Sequence, residues 1–360
     1  MPAREKTRRP RRAVIVGAGS FGTAMALLVA RAGLRTTLQA RTPEQAEEID
    51  RDRENREYLP GVALPPELKV EAAGDGLERA DLVFLAVPSH SLGEAAQALA
   101  GAGLPASASV VTLAKGLVPP LGTTPSEVLG AACGAGRVAV IGGPAHASEL
   151  VREGGALVAA SRNPELAATL ASIFNRGGVI CELSDDPAGV ELAGAAKNAA
   201  ALASGATVGQ GLNAAGAAAG HIFQEVWRLA EAHGARPEAM IGLAGTGDLV
   251  ATALAPSSRN RMAGELLAQG VPAAEIPARI GQAVEALDSV PLLARALAEA
   301  GVEAPVTGGL AALVSGELEL DGWVALVRTT IPPSGPARFG VRPGFWARLR
   351  ARLAGLFRRP

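Results

Sequence analysis

At 360 residues, with 48% hydrophobic and 19% charged side chains, the chain is long enough for two cores and too apolar for disorder. Its formal net charge of −1 hides two basic ends, Arg4 to Arg12 and Arg338 to Arg359, on an acidic body, a distribution that excludes a basic nucleic-acid-binding surface and any nucleic-acid partner it would serve. No apolar run nears membrane-spanning length, no signal peptide is visible, and Cys133 and Cys181 stand in no metal or redox spacing, so a reducing, cytoplasmic compartment is expected.

Residues 1–12 read as a basic N-terminal arm. Ala13–Val16 is a β-branched strand ending at a glycine cluster, and residues 20–33 then show helical apolar spacing that stops at Gly33. Thr36–Ala40 reads as the second strand, completing a βαβ unit of about 30 residues. Asp81–Val87, Val110–Ala114 and Val138–Ile141 repeat the buried-strand pattern, and further strands are expected near 156–160 and 179–183. Strands alternating with helices predict a parallel doubly wound sheet over residues 13–186. From about Pro187 strand signals vanish. Alanine- and leucine-rich stretches broken at Gly234, Pro237, Pro256, Gly270, Pro291 and Gly301 predict an all-helical domain over 187–330. A Pro/Gly linker begins at 331, and the chain ends in an amphipathic helix from Gly344 to Pro360. The fold class is therefore α/β: an N-terminal doubly wound Rossmann domain followed by an all-helical C-terminal domain.

Gly17, Gly19 and Gly22 form Gly-x-Gly-x-x-Gly between a strand and a helix, the context that makes the motif informative. Gly17 permits the tight turn, Gly19 lets backbone approach a pyrophosphate, and Gly22 lets helix and strand pack closely. Ser20 and Phe21 complete the turn, and the helix N-terminus supplies N–H groups and positive potential. A nicotinamide dinucleotide is the expected cofactor. After the second strand comes Arg41 in place of an acid, and a guanidinium suits a ribose 2′-phosphate; NADP(H) is expected to be preferred over NAD(H). Lys197 lies in an otherwise apolar stretch, where desolvation lowers an ammonium pKa. Lys115 follows a strand at the sheet's carboxyl edge. Only four of the 34 Lys and Arg residues are lysine, and these are two of them. His90, His146, His221 and His233 are scattered, and no metal site is expected.

In order, GAGSFGTA (17–24), NREYLPG (55–61), VPSH (87–90), AKGL (114–117), GGPAHASEL (142–150), AAKN (195–198), GTGDL (245–249), SRN (258–260) and IGQAVEA (280–286) resemble the bacterial NAD(P)-dependent glycerol-3-phosphate dehydrogenases over residues 13–327. The resemblance implies reversible reduction of dihydroxyacetone phosphate to sn-glycerol 3-phosphate, supplying glycerophospholipid synthesis, by a homodimer. It implies Lys197 as general acid and base. It implies substrate contacts from Lys115, Gly143, Asn198, Asp248, Thr252, Ser258, Arg259 and Asn260. Beside Gly17, Gly19, Ser20, Phe21, Gly22 and Arg41, it implies cofactor contacts from Pro88, Lys115, Ala147, Arg259 and Glu285.

The chain departs from that pattern at two places. Ala145 stands where the family carries a hydroxyl. Val208, Ala215 and His221 stand where an aspartate, a basic residue and an arginine are expected. Two other readings stay open: a related dehydrogenase for another small anionic hydroxy or keto compound, and a dinucleotide-binding regulatory protein without turnover. Outside the family pattern, Phe345, Trp346, Leu349, Leu353, Leu356 and Phe357 recur at helical spacing among arginines, as in a helix lying on anionic membrane or one packed on the body or on a second subunit.

Overall fold

The structure is a computed structural model and describes residues 10–331, apart from Asp75, Leu121 and Pro256. Most of the basic N-terminal arm and nearly all of the 331–360 linker and amphipathic helix lie outside the described residues.

Eight strands form one sheet in the order β3-β2-β1-β4-β5-β6-β7-β8. They are β1 (Arg12–Val16), β2 (Arg35–Ala40), β3 (Lys69–Ala72), β4 (Leu82–Leu85), β5 (Ser109–Thr112), β6 (Val138–Gly142), β7 (Ala156–Ala160) and β8 (Ile180–Ser184). The first six are parallel, and the chain leaves β1 and β4 toward opposite edges. That reversal creates the crevice at which doubly wound sheets bind ligands. Sequence spacing missed β3, a four-residue edge strand in which only Val70 is buried.

The expectation of a wholly parallel sheet is corrected at its end. β7 runs antiparallel to β6, with Val140 opposite Ala160, and β8 is parallel to β7. Five-residue β6 is about 17 Å long, whereas the helix after it, Ala147–Arg152, has six residues and spans about 9 Å. The chain therefore turns at the carboxyl edge and comes straight back, which leaves residues 143–155 at that edge. The longer helix Pro164–Arg176 makes the next crossover possible and restores parallel pairing.

Helix α1 (Ser20–Arg31) packs on one face of the sheet, with Met25, Leu28, Phe84 and Phe174 in the core between. Leu92, Leu99 and Leu129 cover the other face. After β8 the described chain is helical. Asp186 accepts from Gly189 N and Pro187 occupies the first turn, a strong start signal for α2 (Pro187–Thr207). Nearly all of α2 is buried, in keeping with its alanine-rich sequence and lack of a polar face. Helix α3 (Asp248–Leu254) follows a π-helical turn, Leu243–Gly247, and α4 (Arg259–Ala268) packs across α2. That crossing is close: a Cβ on Gly205 would lie 2.0 Å from the Arg261 carbonyl oxygen, and one on Gly264 would lie 2.0 Å from that of Leu202. The expected break at Pro291 does not occur. It lies inside α5 (Glu285–Glu299) at an exposed position, so the helix accommodates the proline ring without displacing core side chains. Among the described residues no single helix is long and apolar enough to cross a membrane.

Candidate active site

Five strands deliver the expected site residues to one edge: Gly17–Gly22 after β1, Arg41 after β2, Pro88 after β4, Lys115 after β5 and Gly143 after β6. Gly17 has φ +109°, and a Cβ there would meet the Ala86 carbonyl oxygen at 2.6 Å. A Cβ on Gly22 would lie 2.0 Å from the Gly17 oxygen, so helix and turn fit only with glycine. A Cβ on Gly19 would meet no protein atom within 4 Å. The turn is thus closed behind by protein and open at Gly19, the shape a pyrophosphate needs. Arg41 is exposed beside the Thr42 cap of the next helix.

The lysines meet across α3. Lys115 Nζ lies 2.7 Å from Asp248 Oδ2, donates to the Gly143 carbonyl at 3.0 Å, and sits 5.7 Å from the Phe21 ring centre. Lys197 Nζ, from α2, is 3.5 Å from the same Asp248 oxygen. The π-helical turn brings Asp248 into the interior at 3% exposure. Thr252, one turn on, points its hydroxyl at Asp248 Oδ1 at 3.4 Å. Burial lowers the Lys197 pKa, and the Lys115 charge lowers it further, against the opposing pull of Asp248 and Glu285. Burial works to raise the Asp248 pKa, but the two ammonium groups outweigh it and hold the carboxyl below its ordinary value.

A second network braces these groups. Glu285, first residue of α5, accepts from the Lys115 backbone N–H at 3.3 Å and from Asn198 Nδ2 at 3.0 Å. Asn260 Nδ2 donates to Asn198 Oδ1 at 2.8 Å, and Asn260 Oδ1 accepts from Ala286 N at 3.2 Å. The side chains of Asn198, Asn260 and Glu285 therefore tie the Lys115 loop, α2, α4 and α5 together. Ser258 caps α4 through Arg261 N, and the exposed Arg259 guanidinium donates to the Ala283 carbonyl at 3.1 Å. Ala147 opens the short helix after β6. Among the described contacts, the side chains of Arg259 and Arg41 make no bond to the lysine–aspartate cluster or its brace, and the Ser258 hydroxyl bonds only Arg261 N.

Two buried residues were not singled out from sequence. Glu191, six residues before Lys197, accepts from Ser126 N and Ser126 Oγ, both at 2.6 Å. Burial pushes its carboxyl up to about 8, against the hydrogen bonds from Ser126. An isolated acid inside an apolar run was the available signal. Asn55 lies under the glycine turn and was visible only as part of NREYLPG. Of the departures, Ala145 packs against the sheet core, and Val208 is about 16 Å along the axis from Lys197. His90 forms a half-exposed pair with Asp288 at 3.4 Å. Among the described residues no group of three or more His, Cys, Asp or Glu could hold a metal.

The family models described as the N-terminus and C-terminus of NAD-dependent glycerol-3-phosphate dehydrogenase match residues 12–167 and 186–325. The chain is 42% identical over 309 residues to the glycerol-3-phosphate dehydrogenase [NAD(P)+] of Deinococcus radiodurans, covering 84% of this chain and 90% of that one. It is 38% identical over 308 residues to the protein of the same name from Chelativorans sp., covering 84% and 92%. The crystal structure of glycerol-3-phosphate dehydrogenase from Coxiella burnetii superposes with a TM-score of 0.84 at 30% identity, covering 90% of this chain and all of that one. With a glycine turn, two lysines meeting a buried aspartate and both family models matched in order along one chain, this protein belongs to the NAD-dependent glycerol-3-phosphate dehydrogenase family.

Proposed function

We propose that the chain, as a homodimer, catalyses the reversible NAD(P)H-dependent reduction of dihydroxyacetone phosphate to sn-glycerol 3-phosphate. The observation that carries this reading is the Lys115–Asp248–Lys197 cluster, with Asp248 and Lys197 buried and Lys115 half-buried beside the dinucleotide turn. The names of the relatives supply the substrate.

Gly17–Gly22, Arg41, Pro88, Ala147, Arg259 and Glu285 are the residues that would hold the dinucleotide, whose reduced nicotinamide supplies a hydride for the carbonyl carbon. Lys197 gives its Nζ proton to the carbonyl oxygen as negative charge grows there, and neutral Lys197 takes the hydroxyl proton in the reverse direction. A depressed pKa suits one group to both tasks. Lys115 holds fixed positive charge against the developing oxyanion, and Asp248 keeps the two ammonium groups together in a site that would otherwise expel one charge. Thr252 and the Gly143 carbonyl orient Asp248 and Lys115. Ser258, Arg259 and Asn260 stand at the start of α4, where a helix N-terminus and a guanidinium suit the substrate phosphate. Asn198 and Asn260 hold that helix start against the turn of α2 that carries Lys197.

Steady-state turnover tests the reading. Fast NADPH oxidation with dihydroxyacetone phosphate is expected. Turnover only with another anionic ketone would move the assignment to a related dehydrogenase, and tight NADPH binding without turnover would make the chain a regulator.

Preference for NADP(H) rests on Arg41. Arg41→Asp is expected to raise the KM for NADPH about tenfold, as loss of a charge-assisted bond does, and to leave the KM for NADH unchanged or lower. Equal effects on the two cofactors would reject the assignment. The basic amphipathic stretch 344–360 would place the enzyme on anionic lipid, near the consumers of its product. A chain ending at residue 330 is expected to lose co-sedimentation with phosphatidylglycerol vesicles that the full chain shows. Equal sedimentation of both chains removes this part of the proposal.

A further inference from the structure

The NREYLPG stretch has no part in the mechanism above, yet its first residue reaches the cofactor turn from behind. Asn55 is 2% exposed. Its single amide nitrogen donates twice, to the Ala18 carbonyl and to the Thr23 hydroxyl, both at 2.8 Å. Thr23 Oγ1 in turn donates to the Gly19 carbonyl at 2.9 Å. The amide thus holds the Ala18 carbonyl on the buried side directly, and it supports the Gly19 carbonyl through the Thr23 hydroxyl, beside the helical bond that carbonyl accepts from Thr23 N at 2.9 Å.

Peptide geometry converts this into an effect on the open side. The Ala18 carbonyl and the Gly19 N–H belong to one planar trans unit and point in opposite directions, as do the Gly19 carbonyl and the Ser20 N–H. Holding both carbonyls inward turns the Gly19 and Ser20 N–H groups outward, to the side where a Cβ on Gly19 would meet nothing. Two N–H donors facing an open surface at the start of a helix are what a diphosphate requires.

The loop that carries Asn55 is itself fixed. Arg53, in the left-handed region at φ 50°, donates to the Pro65 and Leu68 carbonyls at 2.6 and 2.7 Å. Glu54 accepts from Gly61 N at 2.7 Å, and Arg152 donates to the Pro60 and Gly61 carbonyls at 3.1 and 3.3 Å. Asn55 therefore presents its amide from a braced support.

We propose that Asn55 is a positioning residue for cofactor binding, orienting the phosphate-facing N–H groups of Gly19 and Ser20 through the Ala18 and Gly19 carbonyls. The proposal rests on the reading that the Gly17–Gly22 turn holds NADPH. Asparagine is needed because it brings two donors on one atom. Aspartate has the same size, no donor and a charge facing two oxygens.

Fluorescence titration of NADPH into the full chain tests this, with thermal unfolding of each ligand-free variant in parallel. Asn55→Ala is expected to raise the Kd about tenfold, the size of a lost buried donor, and Asn55→Asp to raise it further. The KM for NADPH should rise with the Kd while kcat at saturating NADPH changes less than twofold. Arg152→Ala loosens the same loop without touching the turn and is expected to lower the Tm with little change in Kd. Should Asn55→Ala fail to fold, Thr23→Val interrupts the same chain of bonds and is expected to raise the Kd about fivefold. The proposal is overturned if the folded Asn55 and Thr23 variants bind NADPH within twofold of the parent. It is also overturned if Arg152→Ala weakens binding as much as Asn55→Ala. A parent chain that does not bind NADPH would instead overturn the reading of the turn.

Discussion

Lys197→Met is expected to lower kcat for ketone reduction about a thousandfold, within the range that general acid catalysis contributes. NADPH affinity should stay within twofold, because no described bond joins Lys197 to the glycine turn. The variant should also fold. Methionine matches the lysine stem in an α2 environment that is almost wholly apolar, so little packing is lost. Removing a buried ammonium normally strands its partner, at a cost of about 3–5 kcal/mol. Here Asp248 keeps Lys115 at 2.7 Å, closer than Lys197 at 3.5 Å, so the carboxylate stays paired. Relief of Lys197 desolvation offsets what the longer contact contributed, and Tm should change little. Single-turnover NADPH oxidation, thermal unfolding and NADPH titration together decide the matter. A kcat within tenfold of the parent would show that Lys197 is not the acid.

The second large effect concerns the charge that the two lysines share. Asp248→Asn is expected to cut kcat at least a hundredfold at pH 7 and to move the pH profile in a set direction. Asp248 is a group that raises the Lys197 pKa, while burial and Lys115 lower it. Without the carboxylate the Lys197 pKa falls further. Reduction needs protonated Lys197, so its rate declines as pH rises through that pKa, and the decline should begin at lower pH in Asp248→Asn. Lys115→Met should do the opposite and carry the decline to higher pH. Oxidation of sn-glycerol 3-phosphate needs neutral Lys197, and its rising limb should shift the same way in each variant.

Stability follows the same signs. The Asp248 carboxyl is depressed in the folded protein, so its contribution is present above the ordinary carboxylate pKa and is lost as pH falls through the folded value. Breaking this buried pair should cost about 3 kcal/mol near neutrality. Lys197 is depressed too, so the unfolded chain binds more protons between its folded and ordinary values, and stability gains as pH rises across that window. The Asp248→Asn deficit should shrink at high pH, where Lys197 sheds its proton. Denaturant titrations across the pH range measure both trends. Identical profiles for parent, Asp248→Asn and Lys115→Met would remove the coupling on which the mechanism depends.

Much of this protein is local and therefore legible along the chain. β1, the glycine turn and α1 are neighbours in sequence, and the turn needs only backbone that glycine permits. The switch to helices at 187 is written in a cap and a proline. The apolar surroundings of Lys197 were visible in its alanine-rich stretch, because such a helix can only be buried. What the chain order could not show are relations between distant segments. The reversal at β7 depends on a six-residue helix being shorter than the strand it would have to span. Pro291 breaks no helix, because its exposed position keeps the ring clear of the packed face of α5. Glu285 and Asn198, which the resemblance marks as ligand contacts, also hold the Lys115 loop to α2, and Asn55 lies behind a turn 37 residues upstream. Residue types and short-range spacing determine where a lysine is desolvated and where a phosphate is cradled. That both lysines meet one aspartate oxygen is a matter of packing, since the end of β5, the middle of α2 and a π-helical turn must coincide to within about 3.5 Å.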